Sequence, residues 1–199
     1  AGVELTLAIQ HALRHAQPEV EHDFHLFGAA DTVLPTHNRR AQRIFQRVLR
    51  DRGVRVHVPR RVVRVKSDGL ATDDGAHHVM DEVIWATEAR AQSWPGNSGL
   101  DVDEQGFIRV DDTLESRSHP GVFASGDIAA VVNHPREKAG VFAVRQGVPL
   151  EANLRRSLRG ERLRPFAPQR EFLSLVSTGD RYAVASRGWW ALEGAWVWN

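Results

Sequence analysis

The sharpest chemical signal in the chain is Val122-Phe123-Ala124-Ser125-Gly126-Asp127, an apolar run closed by Gly-Asp. Read as a strand with a polar end, it sets one carboxylate, Asp127, at a strand's C-terminal end, where open α/β sheets bind ligands. Gly126 would let the backbone approach a ligand closely. The same six residues also suit a turn with Asp as its cap. A second signal is Gly2-Val3-Glu4, opening an amphipathic helix. An ordinary helix N-terminus with an acidic first turn accounts for it locally. The last glycine of a G-x-G-x-x-G loop, whose N–H groups and helix dipole hold a pyrophosphate, stands at the same place. His11 and His15 are four apart on that helix, a spacing that can hold a metal. With no third ligand nearby, an exposed pair is the expectation, as it is for His77-His78. No metal site and no catalytic side chain is assigned. Trp189, Trp190, Trp196 and Trp198 gather at the tail. Core or partner packing is their ordinary role, and a membrane-facing or domain-contacting surface the functional one.

The elements that must position these residues follow from apolar spacing. Leu5, Ile9 and Leu13, with Val3 beside them, predict a helix from about Gly2 to Ala16 with one apolar stripe. Phe24 to Gly28 reads as a short buried strand. The polar end of Leu34-Pro35-Thr36-His37-Asn38 can cap the next helix, roughly Arg39 to Arg52. There Ala41, Ile44, Phe45, Val48 and Leu49 share a face, and Gly53 ends it. From Gly53 the period switches to two, with turns at Ser67-Asp68-Gly69 and Asp73-Asp74-Gly75 between short strands. Asp81 to Thr87 looks like a buried return strand. Helix, strand, helix, strand, antiparallel excursion and return strand make most of a βαβ nucleotide-binding unit lacking its opening strand. Residues 88–120 read as irregular, with a hairpin near Glu104 to Ile108. A helix around Ala139 to Gln146 follows, then another beginning at Pro149 and running to about Leu158. Glu171 to Ser177 and Arg181 to Ser186 are strand candidates.

Composition bounds the chemistry. The chain has 199 residues, 42% hydrophobic and 26% charged, and its 26 basic and 25 acidic side chains nearly cancel to +1. That balance argues against a dedicated nucleic-acid partner. Among the basic side chains only Lys66 and Lys138 are lysines, which fits a base-composition bias. There is no cysteine, so structural disulfides, thiolate metal sites and redox-active Cys pairs have no residues to form from. No apolar run is long enough to span a bilayer. No signal sequence opens the chain, which makes a cytoplasmic address the expectation. The start Ala1-Gly2-Val3-Glu4, without Met or a leading strand, reads as a piece of something longer.

Taken together the motifs resemble those of the two-dinucleotide-binding-domain flavoprotein reductases, the pyridine nucleotide-disulfide oxidoreductase superfamily. Gly2-Val3-Glu4 resembles the end of their NAD(P)H loop, and Ile84-Trp85-Ala86-Thr87 the Ala-Thr-Gly strand that crosses back to the FAD domain. Val122 to Asp127 resembles their second FAD motif. Lys138 to Gly147 resembles the helix that follows. Within the superfamily the pattern is most similar to type II NADH dehydrogenase-like proteins, notably the reductase portion found fused to selenide, water dikinase.

The resemblance implies an α/β fold, Rossmann-like and FAD/NAD(P)-binding, incomplete at the N-terminus. It divides the chain into a partial NAD(P)H-binding domain at 1–87, the second half of an FAD-binding domain at 88–165, and the start of a C-terminal domain at 166–199. It implies FAD and NAD(P)H as cofactors. Gly2, Glu4, Thr87, Gly126, Asp127, Ala139 and Gly140 become the cofactor-binding residues. Asp127 would hold the ribityl chain, while the helix N-terminus near Ala139 and Gly140 would stabilise negative charge on the flavin pyrimidine ring. Hydride would pass from nicotinamide to flavin and then straight to a quinone or other acceptor, since no Cys is available. That disfavours the disulfide-reductase and sulfide:quinone branches. Peripheral contact with the inner membrane through the C-terminal part, and a fused selenide, water dikinase domain, are further implied partners. The sequence departs from the pattern at five places. Gly28 stands where a ribose-binding acid belongs, with Asp31 three residues on, and Glu88 replaces the Gly of Ala-Thr-Gly. Val141 and Arg145 replace two glutamines near the quinone, leaving Gln146, and the first FAD loop is absent, so these residues alone should not hold FAD tightly. The alternative is a degenerate, non-catalytic module that scaffolds or regulates a fused partner, or an inactive gene fragment.

Overall fold

Ala1–Thr87 together with Glu171–Asn199 make up one unit of the chain, and Glu88–Arg170 the other. The computed structural model describes residues 1–87 and 89–199. In the first unit, helix α1 (Gly2–Ala16) has the expected bounds but buries Val3, Leu7 and Gln10. Of the expected stripe Val3 is buried, Ile9 and Leu13 are half-buried, and Leu5 is 40% exposed. The Gln10 amide N–H donates to the Arg52 carbonyl at 3.0 Å, which pairs the donor end of this buried side chain, while its Oε1 meets no hydrogen-bond partner among the described residues. Strand β1 (His25–Phe27) is short and half-buried. Helix α2 (Arg39–Asp51) begins at Asn38, whose side chain accepts the Ala41 N–H at 2.9 Å. Its buried residues Ala41, Phe45 and Leu49 are spaced at i, i+4 and i+8. The chain then returns as β2 (Arg55–His57), parallel to β1 with Leu26 opposite Val56, the pairing that a helical crossover permits. Strands β3 (Val62–Lys66), β4 (Gly69–Thr72) and β5 (His77–Val79) follow as an antiparallel meander.

The expected return strand over Asp81–Thr87 does not form. No described strand pairs with the segment, and Ile84 and Trp85 are 60% and 57% exposed. An apolar run becomes a strand only where a neighbouring ladder takes its N–H and C=O groups.

In the second unit, a short helix α3 (Trp94–Asn97) precedes a tight hairpin closed by the Val102–Ile108 bridge. Strand β6 (Ile108–Val110) pairs in parallel with β7 (Ala129–Val131). Their core holds Ile108, Val110, Leu114, Ala124, Ala129 and Val131. The run Val122–Asp127 is therefore not the strand expected. It contributes one bridge, Glu115 to Phe123, then bends through a 3₁₀ turn at Gly126–Ile128, and the regular strand starts after it. Gly126, at φ +67°, makes that bend. Helix α4 (Gly140–Leu158) runs unbroken through Pro149, where two helices were expected. The half beyond the proline is pinned by buried Asn153. Its amide donates to the Thr113 and Arg164 carbonyls, and its oxygen accepts the Arg164 N–H at 2.9 Å. These bonds offset the one that proline removes.

Residues 171–199 complete the first unit with β8 (Ser174–Ser177), β9 (Ala183–Arg187) and β10 (Trp190–Gly194), antiparallel in that order, and a terminal turn of helix, α5 (Ala195–Trp198). Strand β10 was hidden by the Trp-rich tail. Val184 of β9 closes the core formed by Val3, Leu7, Val33, Phe45, Leu49 and Val54. Gly179, at φ +86°, crosses so close to α1 that a Cβ there would stand 2.7 Å from the Ala8 Cα.

Candidate cofactor cleft

The second unit carries a cleft of about 260 Å³ between the Gly126–Ile128 turn, β7 and the start of α4. Gly126, Asp127 and Ala139 line it, and Gly140 opens the helix at its edge. Asp127 is exposed and its carboxylate is free to accept from a hydroxyl. Ala139 is the N-cap of α4 and offers no side-chain cap. Its carbonyl accepts the Phe142 N–H at 2.9 Å, and with no side-chain cap the start of α4 presents its positive dipole end at the cleft. A hydroxyl acceptor thus stands opposite a site for an electronegative ring edge. A complete ligand pocket usually encloses about 300–1,000 Å³; this cleft suits one portion of a dinucleotide.

Three lining groups were not anticipated. Lys138 donates to the Ala129 carbonyl at 2.6 Å and places its ammonium 3.9 Å from the Phe107 ring centroid. Burial pushes that amine below the usual lysine range, with Asp103 and Asp127 pulling the other way. Buried Gln146 accepts the Gly126 N–H at 2.6 Å. It was read only as what remains of the quinone-side glutamines, yet its oxygen is already used on the turn. Arg136 lies over the Phe142 ring at 5.1 Å and donates to the Pro168 and Gln169 carbonyls. Its residue type was visible in the sequence; its partners, 32 and 33 positions away, were not.

The remaining candidate residues sit in the first unit. Gly2 opens α1. The Glu4 carboxylate accepts the Ser177 N–H at 3.1 Å, joining α1 to β8. Thr87 is exposed beyond the meander, and Glu88 lies outside the described residues. At the end of β1, a Cβ on Gly28 would stand 3.2 Å from Val58 Cγ1, so a ribose-binding acid there would require Val58 to move. Asp31 is exposed. The ends of β1 and β2 instead gather Phe27, His25, His57 and His78. Phe27 and His57 stack at 4.3 Å, and His57 Nε2 lies 3.1 Å from His25 Nδ1. Burial foremost, with Arg55 next, holds His25 below the usual imidazole range, and burial then His25 does the same for His57. His11 and His15 are neighbours at 4.1 Å between rings. Among the described residues no group of three or more His, Cys, Asp or Glu side chains could hold a metal.

A parallel β-α-β pair in one unit and a helix N-terminus facing a Gly-Asp turn in the other define a Rossmann-like, FAD/NAD(P)-binding flavoprotein fold. The chain belongs to the pyridine nucleotide-disulphide oxidoreductase family, whose model matches residues 1–147. It is 24% identical over 175 residues to the type II NADH:quinone oxidoreductase of Haemophilus influenzae, covering 76% of this chain and 39% of that protein. It is 30% identical over 125 residues to a dihydrolipoyl dehydrogenase of Thermus scotoductus, covering 56% and 27%. Among solved structures, the sulfide:quinone oxidoreductase of Aquifex aeolicus superposes with a TM-score of 0.79 at 12% identity, over 98% of this chain and 51% of the other. The water-forming NADH oxidase of Lactobacillus brevis, bound to NADH, gives 0.65 at 24% identity, over 84% and 37%. At these identities the structures speak for the fold. The chain spans 27% to 39% of the length of the two curated relatives.

Proposed function

We propose that these residues form the nicotinamide-side and distal flavin-side parts of an FAD-dependent NAD(P)H oxidoreductase. The observation that carries the reading is the cleft. In a chain matching the family over residues 1–147, Asp127 and the uncapped N-terminus of α4 face one space. Those groups fit FAD, because a carboxylate accepts from ribityl hydroxyls and a helix N-terminus favours the electron-rich pyrimidine edge. When bound, FAD supplies the relay that takes hydride from a nicotinamide and passes the electrons to an acceptor. Asp127 orients without exchanging a proton. Lys138 adds positive charge to the cleft, and Phe107 and Phe142 form an apolar part of its wall. Gly2, with the N-terminus of α1, is the proposed contact for the nicotinamide cofactor's pyrophosphate, with Glu4 at the same site, and Thr87 is a further proposed cofactor contact. The domain assignment proposed is 1–87 for NAD(P)H and 88–165 for FAD, with 166–199 beginning a C-terminal part.

A quinone or another small molecule is the proposed acceptor, the quinone supported by the type II NADH:quinone oxidoreductase among the relatives. Peripheral contact with a membrane would suit it. Trp189, Trp196 and Trp198 are 82%, 66% and 48% exposed, and such rings favour a membrane interface. Among the described residues no helix is long and apolar enough to cross a membrane. Gly28 favours a second reading, a non-catalytic module, since no acid ends β1. Purified full-length protein separates the two. Oxidised-flavin absorbance that bleaches with NADH or NADPH and recovers with a soluble quinone is expected. Protein that carries no flavin after reconstitution overturns the enzyme reading.

A further inference from the structure

The 3₁₀ turn that carries Asp127 is held at both ends by side chains from one neighbouring segment. At its start, the Gly126 N–H donates to Gln146 Oε1 at 2.6 Å. At its end, the Ala129 carbonyl accepts from Lys138 Nζ at 2.6 Å. Gln146 lies on α4 and Lys138 immediately precedes the helix's N-cap, Ala139. The two bonds tie the turn to the segment that presents the uncapped helix N-terminus. Gln146 is 6% exposed, and the Lys138 ammonium lies over the Phe107 ring. Gly126 adopts its φ of +67° without strain because it has no Cβ, and Ala143 on α4 stands 3.4 Å from where a Cβ would be.

We infer that Lys138 and Gln146 are positioning residues that clamp the Gly126–Ile128 turn, fixing the distance between the Asp127 carboxylate and the N-terminus of α4 and thereby the affinity of the cleft for a flavin. This rests on the flavin reading above. The clamp acts through Asp127, so its loss should be felt only while Asp127 has a ribityl hydroxyl to meet. A preorganised site avoids the ordering cost that a loose one meets on binding, and groups acting through one another are non-additive.

The test uses the full-length holoenzyme and the equilibrium dissociation of FAD, with thermal melting of the flavin-free protein as the check on folding. Lys138→Met keeps the stem over Phe107 and removes the donor. Gln146→Leu removes the acceptor, and Gln146→Glu restores one. Lys138→Met and Gln146→Leu are each expected to weaken FAD binding about tenfold, with Gln146→Glu returning to within about threefold of the unmodified protein. In an Asp127→Ala background, which removes the acceptor, the further loss from Lys138→Met should shrink to about twofold or less. Variants that bind FAD like the unmodified protein overturn the inference. So do losses that multiply in full in the Asp127→Ala background, or a lowered melting temperature with unchanged affinity in protein still folded. Unmodified full-length protein that binds no FAD overturns the functional reading and the clamp together; unmodified protein that binds it beside unaffected variants overturns the clamp alone.

Discussion

At the scale of single residues, Gly126 joins backbone conformation to the cleft. Its left-handed φ of +67° and the Ala143 methyl 3.4 Å from a would-be Cβ both resist a side chain. Gly126→Ala should cost about 1–2 kcal/mol of stability, read by denaturant unfolding of the full-length protein, and an unchanged midpoint would disprove the strain. Asp127 was singled out in the sequence by its type and neighbours, although the run before it supplies one bridge and a 3₁₀ turn rather than the strand expected. Lys138 and Gln146 were not. Their partners lie 9 and 20 positions away, and nothing in the local sequence specifies that an amine or an amide will meet a particular backbone atom. Leu5 was misread for a related reason. Periodicity located a stripe on α1, but Gln10 joins the buried face, its amide N–H bonded to the Arg52 carbonyl.

At the scale of elements, α2 was legible throughout, since its apolar spacing and its cap at Asn38 agree. Helix α4 was not, because Pro149 is a sound local stop signal that tertiary bonds override. Asn153 is 1% exposed and makes three of those bonds. Asn153→Leu leaves the Arg164 N–H and two carbonyls unpaired, and should destabilise the second unit by about 3 kcal/mol. By contrast Val148→Ala, on the 78% exposed face of the same helix, should stay within about 0.5 kcal/mol. Chemical denaturation of both variants checks the pair, and equal losses would mean that Asn153 does not anchor the helix. The segment Asp81–Thr87 failed in the opposite way. Its apolar content was right for a strand, but a strand is made by its neighbour, and the sequence of one segment cannot report whether a neighbour is present.

At the scale of the whole molecule, the histidine cluster makes the first unit sensitive to acid. His25 and His57 have folded values lowered from the ordinary 6.5, by burial first and then by neighbouring cations. The fold therefore favours their neutral forms. Their contribution is complete above the ordinary value and is lost as pH falls through the lowered ones. Asp23, beside Arg55, works weakly against this at His25. The melting temperature of the full-length protein should fall from neutral pH toward pH 5 by more than that of His57→Phe, whose ring keeps the stack on Phe27 without a titrating nitrogen. Parallel pH profiles for the two proteins would remove the cluster from the account. The division into units has a different consequence, one of timing. The core shared by Val3, Leu7, Phe45 and Leu49 includes Val184, and Glu88–Arg170 lies between those contributions in the chain. On a ribosome that adds about 5–20 residues per second, the early segment must wait several seconds for its closing strand. The later-made but uninterrupted stretch can complete its own interior first, so the order of maturation runs against the order of synthesis.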